Sequence, residues 1–179
     1  MSGRTAKLRR KTGLERRGGR VELDARRRRQ EAIRQLDALY AQLPPLECKG
    51  LCHDTCTSVD ASELERERMR EARPGVELPT FEEGREAFRR GEIPRCPMLG
   101  PLNTCTVYDV RPLICRAFGM VYDSDLLNPA HTQPMMCDHG CIPDGTITRA
   151  QLFRHLRQIE ALSQEVTGVS RIPPGGFTA

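Results

Sequence analysis

Apolar positions recur with helical period near the two ends of the chain and lose that period in between. From about Leu23 to Leu43, Ile33, Leu36, Leu39, Tyr40 and Leu43 return at spacings of three and four. Arg26 to Arg29 begin the polar side, a solvated face of an amphipathic helix. Pro44 and Pro45 end it, because proline lacks the N–H that a helix needs. Thr148 opens a last helix through about Val166, with Leu152, Phe153, Leu156, Ile159 and Leu162 as its buried stripe and Gly168 as its stop. His155 lies beside that stripe and reads as a partly exposed structural histidine. A charged helix is expected from Ala61 to about Arg73, capped by Ser58 or Asp60 and closed by Pro74. Thr80-x-x-Glu83 is a capping box for a short helix over 81–90 that stops at Gly91. These two helices read as an insertion packed over the metal core, their Arg and Glu runs facing solvent.

Residues 91–147 show no period and carry Pro94, Pro97, Pro101, Pro112, Pro129, Pro134 and Pro143. So long an irregular stretch is not stable in a compact domain unless something pins it. Five of the eight cysteines fall in it, which makes a bound metal the natural pin. The fold class expected is therefore mostly α: a small, irregular, metal-stapled domain with helices packed around a loop-rich cysteine cluster.

Composition sharpens that expectation. The 179 residues include no Trp and only 4% aromatics, a thin supply of large side chains for a core. One domain over 23–168 is expected, with an arm at 1–22 and a frayed Pro/Gly-rich tail at 169–179. The net charge of +4 conceals a division. Residues 1–34 hold 13 Lys/Arg against 4 Asp/Glu, and the remaining 145 hold 15 against 20, so the halves carry +9 and −5. The first 20 residues are nearly free of apolar side chains, and mobility is expected there. Two readings of this arm stand side by side: a contact with nucleic acid or an acidic protein, gained through counterion release, and a plain solubilising tail. A mitochondrial presequence is a remote third, interrupted by Glu15, Glu22 and Asp24. No apolar stretch of roughly 7–15 residues follows the basic start, as a secretory signal would require. No run approaches the ~18 apolar residues of a membrane span. A cytoplasmic setting without membrane contact is the expectation, and thiols kept reduced there favour metal over disulfides.

The candidate ligands are Cys48, Cys52, Cys56, Cys96, Cys105, Cys115, Cys137 and Cys141. The C-x3-C-x3-C spacing of the first three puts them on one stripe if that segment is helical. Lys49, Gly50, His53, Asp54 and Thr55 between them are poor core material, which favours ligation over packing. A thiolate set suits zinc or an iron–sulfur cluster. The spacings fit neither a zinc ribbon nor a ferredoxin run. Eight thiols could serve two four-ligand sites, or one cluster plus spare cysteines. His53, His131 and His139 are candidate substitutes, each more simply a solvated loop histidine.

The string Cys105-x-x-Tyr108-x-x-Arg111-Pro112-x-x-Cys115-Arg116-x-Phe118 resembles the signature of the YkgJ/CxxCxxCC family of cysteine-cluster proteins. Cys96-Pro97-Met98-Leu99 is similar to the Cys-Pro-aromatic-Leu element that precedes it there. The Cys48 region occupies the place of that family's tighter N-terminal cysteine cluster, so the resemblance covers roughly 46–141. It implies a zinc- or iron-chelating domain. Flagellin lysine methylases are similar in carrying a comparable cluster, which keeps an iron–sulfur identity and an enzymatic relative in view. Arg111 and Arg116 fit as cations beside a negative metal–thiolate group, as holders of an anionic substrate, or as partners of Asp109 or Asp123. Tyr108 and Phe118 read as apolar cover. The preferred expectation is an iron–sulfur cluster, of the 4Fe-4S type, with zinc as the alternative and a structural, redox or metal-handling role. A cluster-dependent methyl or electron transferase is a second class, and a nucleic-acid module with structural zinc a third. No Gly-rich cofactor loop, Ser-His-Asp pattern or His-Glu-x-x-His appears, so the sequence assigns no reaction.

Overall fold

The computed structural model describes residues 3–49, 51, 53, 56–57, 61–92, 94–121, 135–136 and 140–169. At 3–19, 81, 85, 88, 135 and 136 it describes the backbone alone. Cys52, Asp54, Thr55, Ser58, Asp60, Asp123, His131, Cys137, His139 and the tail beyond 169 lie outside the described residues. Among those described there are five α-helices and two strands of two residues each, so the architecture is mostly α.

α1 runs Gly3–Tyr40. It begins well before the Leu23 expected for it, because Arg, Lys, Glu and Ala are strong helix formers and need no apolar stripe to continue a helix. Among its described side chains, from residue 20 onward, the buried ones are Ala32, Leu36, Leu39 and Tyr40. Beyond Tyr40 the amides of Gln42 and Leu43 bond back to Leu39 and Tyr40, and Pro44 then stops the turn.

α2 spans Glu63–Ala72, and its cap is Ser62 rather than Ser58 or Asp60. The Ser62 hydroxyl accepts from the Glu65 amide while the Glu65 carboxylate accepts from the Ser62 amide, a reciprocal pair that satisfies two helix-end donors. α2 packs over the cysteine core through Met69, as expected, and also against the helical core through Leu64. Leu64, Glu65 and Met69 are buried, and the amide of Leu64 donates to Ser163 Oγ at 3.1 Å. α3, Phe81–Arg89, has the expected Thr80–Glu83 box and reverses at Gly91, whose φ of 73° is left-handed.

α4 is one short turn, Leu113–Ala117. β1, Met120–Val121, pairs antiparallel with β2, Met135–Met136, with Met120 opposite Met136. α5, Arg149–Thr167, starts at a Thr148–Gln151 capping box and ends at Gly168 (φ 73°), as its sequence signals require. Its buried line is Leu152, His155, Ile159 and Ser163, with Leu156 and Leu162 half-buried beside it. His155 is thus inside rather than partly exposed: positions 152, 155, 159 and 163 follow the helical spacing that faces α1 and α2.

Two apolar clusters result. The larger joins α1, α2, α4, β1 and α5 through Leu36, Leu64, Leu113, Val121 and Ile159, among others. The smaller gathers Met69, Cys96, Met98 and Val107, with Cys56 and Cys105 against it. Cys56, Cys96 and Cys105 therefore sit on their own small core, beside the helical one.

Candidate metal centre

Local chain geometry brings four distant thiols together. A bridge pairs Thr57 with Arg95, and the amide of Cys96 donates to the carbonyl of Cys56 at 3.0 Å. Residues 96–106 then fold back on themselves. Leu99 bridges Cys105, Gly100 donates to the Thr104 carbonyl at 2.8 Å, and Thr106 donates through its amide and hydroxyl to the Met98 carbonyl. Asn103 takes φ 59° at the tip, a left-handed conformation that asparagine tolerates. At Gly100 a Cβ would meet the Thr106 methyl at 3.0 Å, so the tight return favours glycine there. The hairpin sets Cys105 next to Cys96. Pro112 then opens α4, and its carbonyl accepts from the amide of Cys115 at 3.0 Å, placing that thiol in the first turn.

The thiols feel one another. Cys56 and Cys96 share a side-chain hydrogen bond that lowers the Cys96 titration, assisted by the Met98 amide, and raises that of Cys56. Burial pushes Cys115 up to about 12, with Cys96, Cys105 and Glu65 adding repulsion. Burial also raises Cys105, against the pull of the Val107 amide and Arg111. Four thiols in one patch cannot all ionise without a cation among them.

Cys56, Cys105 and Cys115 line a cavity of about 320 Å³ together with Cys48, His53, Tyr108, Arg111 and Phe118. Cys48 interacts with the Tyr108 hydroxyl, whose titration is raised by burial first and by Cys48 as well. Cys141 is buried, and its sulfur accepts from the amide of Lys49 at 3.3 Å. Cys48 and Cys56 lie in extended or irregular chain, so the condition for one helical stripe through Cys48, Cys52 and Cys56 is not met at the described members. Among the described residues no three Cys, His, Asp or Glu side chains already surround a single point.

The two arginines separate. The Arg111 guanidinium lies 3.7 Å over the Tyr108 ring and stabilises charge on Cys105 and Cys115. Its Nε and Nη1 are buried without a hydrogen-bond partner among the described residues. Arg116 turns away, donating to the carbonyls of Arg111 (2.8 Å) and Asp109 (2.5 Å) and stacking over Tyr40 at 4.3 Å. It braces the loop that presents Arg111. The carboxylate of Asp109, one partner expected for it, is replaced by that residue's carbonyl.

Glu65 is the residue the sequence reading missed. It is 2% exposed and accepts from Tyr40 Oη (2.7 Å), the Leu113 amide (2.8 Å) and the amide and hydroxyl of Ser62 (2.8 and 2.9 Å). It thereby ties α1 and α2 to the start of α4, two residues ahead of Cys115. Ser62-x-x-Glu65 was the available signal, since it matches the capping box already visible at Thr80.

The chemistry of the donor set suits a soft metal, and the two orphaned N–H groups of Arg111 suit a neighbour with negative sulfur. The family model CxxCxxCC, "Putative zinc- or iron-chelating domain", matches residues 47–142, more than half of the chain. No curated protein and no solved structure matches it. No helix among the described residues is long and apolar enough to cross a membrane.

Proposed function

The chain belongs to the CxxCxxCC family, and from that premise we propose that it is a cytoplasmic metalloprotein holding an iron–sulfur cluster through cysteine thiolates. Residues 23–168 form the metal domain in this reading, with 1–22 as a basic arm and 169–179 as a tail. Cys56, Cys96, Cys105 and Cys115 hold the cluster. Cys48 stands at the same cavity, Cys141 is buried against the Lys49 amide next to it, and Cys52 and Cys137 complete the candidate set. The observation that carries the proposal is the convergence of Cys56, the hairpin holding Cys96 and Cys105, and Cys115 of α4, three stretches of chain whose thiols feel one another beside Arg111.

A 4Fe-4S cluster is preferred over zinc on geometry. Cys48, Cys56, Cys105 and Cys115 line one cavity of about 320 Å³, with room for a body several atoms across bound at its corners. Such a cluster supplies one-electron chemistry and a rigid staple for 91–147. The chain's own contribution is to bury the thiols, shield them with Phe118 and Tyr108, and set the Arg111 cation beside them. A structural or redox role follows more directly than a reaction on a substrate.

Protein purified without air, and assayed for iron, zinc and acid-labile sulfide alongside its absorbance, tests this. The expected result is a brown sample with a broad band near ~400 nm, and iron and sulfide in equal amounts. A colourless sample with stoichiometric zinc would replace the cluster with the zinc alternative.

A further inference from the structure

As a 38-residue helix, α1 spans ~57 Å at ~1.5 Å per residue. Among its described side chains, from residue 20 onward, those that the domain holds lie toward the C-terminus. Arg29 pairs with Glu71 at 2.6 Å and Glu67 at 3.4 Å on α2, and the first buried one of the described side chains is Ala32. Residues 20–28 are all exposed. The segment ahead of that grip holds most of the chain's excess positive charge, while the remainder of the protein is acidic.

We propose that the N-terminal part of α1 is an arm that lies in the major groove of double-stranded DNA. Three observations favour this occupant. Successive residues stand ~100° apart around a helix, so the consecutive cations 9–11, 16–17 and 26–28 occupy positions on several sides of it. That distribution matches a groove with phosphates on both walls. An anionic membrane would want one apolar face, whereas the exposed Val21 and Leu23 stand two residues apart, on opposite sides of the helix. The major groove of B-DNA is about 12 Å wide and admits an α-helix, while the corresponding groove of double-stranded RNA is too narrow. A polar, cationic helix with little tertiary contact is also costly to keep by itself. Gly13, Gly18 and Gly19 add about 1 kcal/mol each to that cost, and a polyanion offsets it through counterion release.

The proposal is independent of the metal's identity. Its test is fluorescence anisotropy of a labelled 20-base-pair DNA duplex with the intact metal-loaded protein across a series of KCl concentrations. Two variants accompany it. One lacks residues 2–20, which removes eight Lys/Arg. The other keeps the chain length and carries Arg9→Gln, Arg10→Gln, Lys11→Gln, Arg16→Gln and Arg17→Gln. The expected result is salt-dependent binding that both variants weaken at least about tenfold. The salt slope becomes shallower by about 0.9 for each phosphate that the variant leaves unneutralised. Metal content and melting temperature stay the same in all three proteins. Unchanged DNA affinity in either variant overturns the proposal. Equal affinity for an RNA duplex of the same length, or for polyglutamate, overturns it in favour of that other partner.

Discussion

Replacing Cys105 or Cys115 with Ser will remove most of the bound metal and lower the melting temperature of what remains folded. Neither thiol is at a loop tip: Cys105 sits against the small core on the returning arm of the 96–106 hairpin, and Cys115 is half-buried in the first turn of α4. A hydroxyl is a poor ligand for a soft metal. Metal binding free energy is also folding free energy where the ligands come from segments with little regular structure. Cys56→Ser and Cys96→Ser belong to the same class, since those thiols share a hydrogen bond. Metal stoichiometry per folded chain, measured after gel filtration, is the readout. Full metal in both Cys105→Ser and Cys115→Ser would reduce the signature to a packing motif around buried thiols.

The second large effect is expected at a residue that is no candidate ligand. Glu65→Ala strips the acceptor from Tyr40 Oη and from the Leu113 amide, both buried. It also breaks the capping pair with Ser62. An unsatisfied buried donor costs about 1–3 kcal/mol, so a loss of roughly 3–5 kcal/mol is expected. Glu65→Gln retains one good acceptor and is expected to lose about half as much. Urea denaturation of metal-loaded protein checks both. A midpoint for Glu65→Ala close to that of the parent would show that the carboxylate network does not hold α4 in place.

The contrast between those two sites explains what the sequence made legible. α5 and α3 were readable because their signals are local: Thr148 and Gly168 bracket one, Thr80, Glu83 and Gly91 the other. The end of α1 was readable from Pro44 and Pro45. Its start was not, since a basic run with no apolar face gives no burial signal, and Gly13, Gly18 and Gly19 count against a helix there. The buried role of Glu65 depends on Tyr40 and Leu113, 25 and 48 residues away, and no local pattern encodes such a partnership. The run Glu63 to Arg70 therefore read as a solvated face.

The metal site divides in the same way. The string from Cys105 to Phe118 was visible as a unit, and the family match over 47–142 bears out the resemblance it suggested. The partnership of Cys56 with Cys96 was not visible, because it rests on the long-range bridge between Thr57 and Arg95. Arg111 and Arg116 look equivalent in sequence. Only packing separates them, with Arg111 over Tyr108 in the cavity and Arg116 over Tyr40 outside it.

X-ray absorption at the iron and zinc edges, on protein isolated without air, tests the central claim most directly, because it reads the atoms around the metal. The account predicts a first shell of sulfur alone, about four ligands per metal, with further iron neighbours for the cluster. A first shell dominated by nitrogen and oxygen, or a protein that holds no stoichiometric metal at either edge, would contradict it.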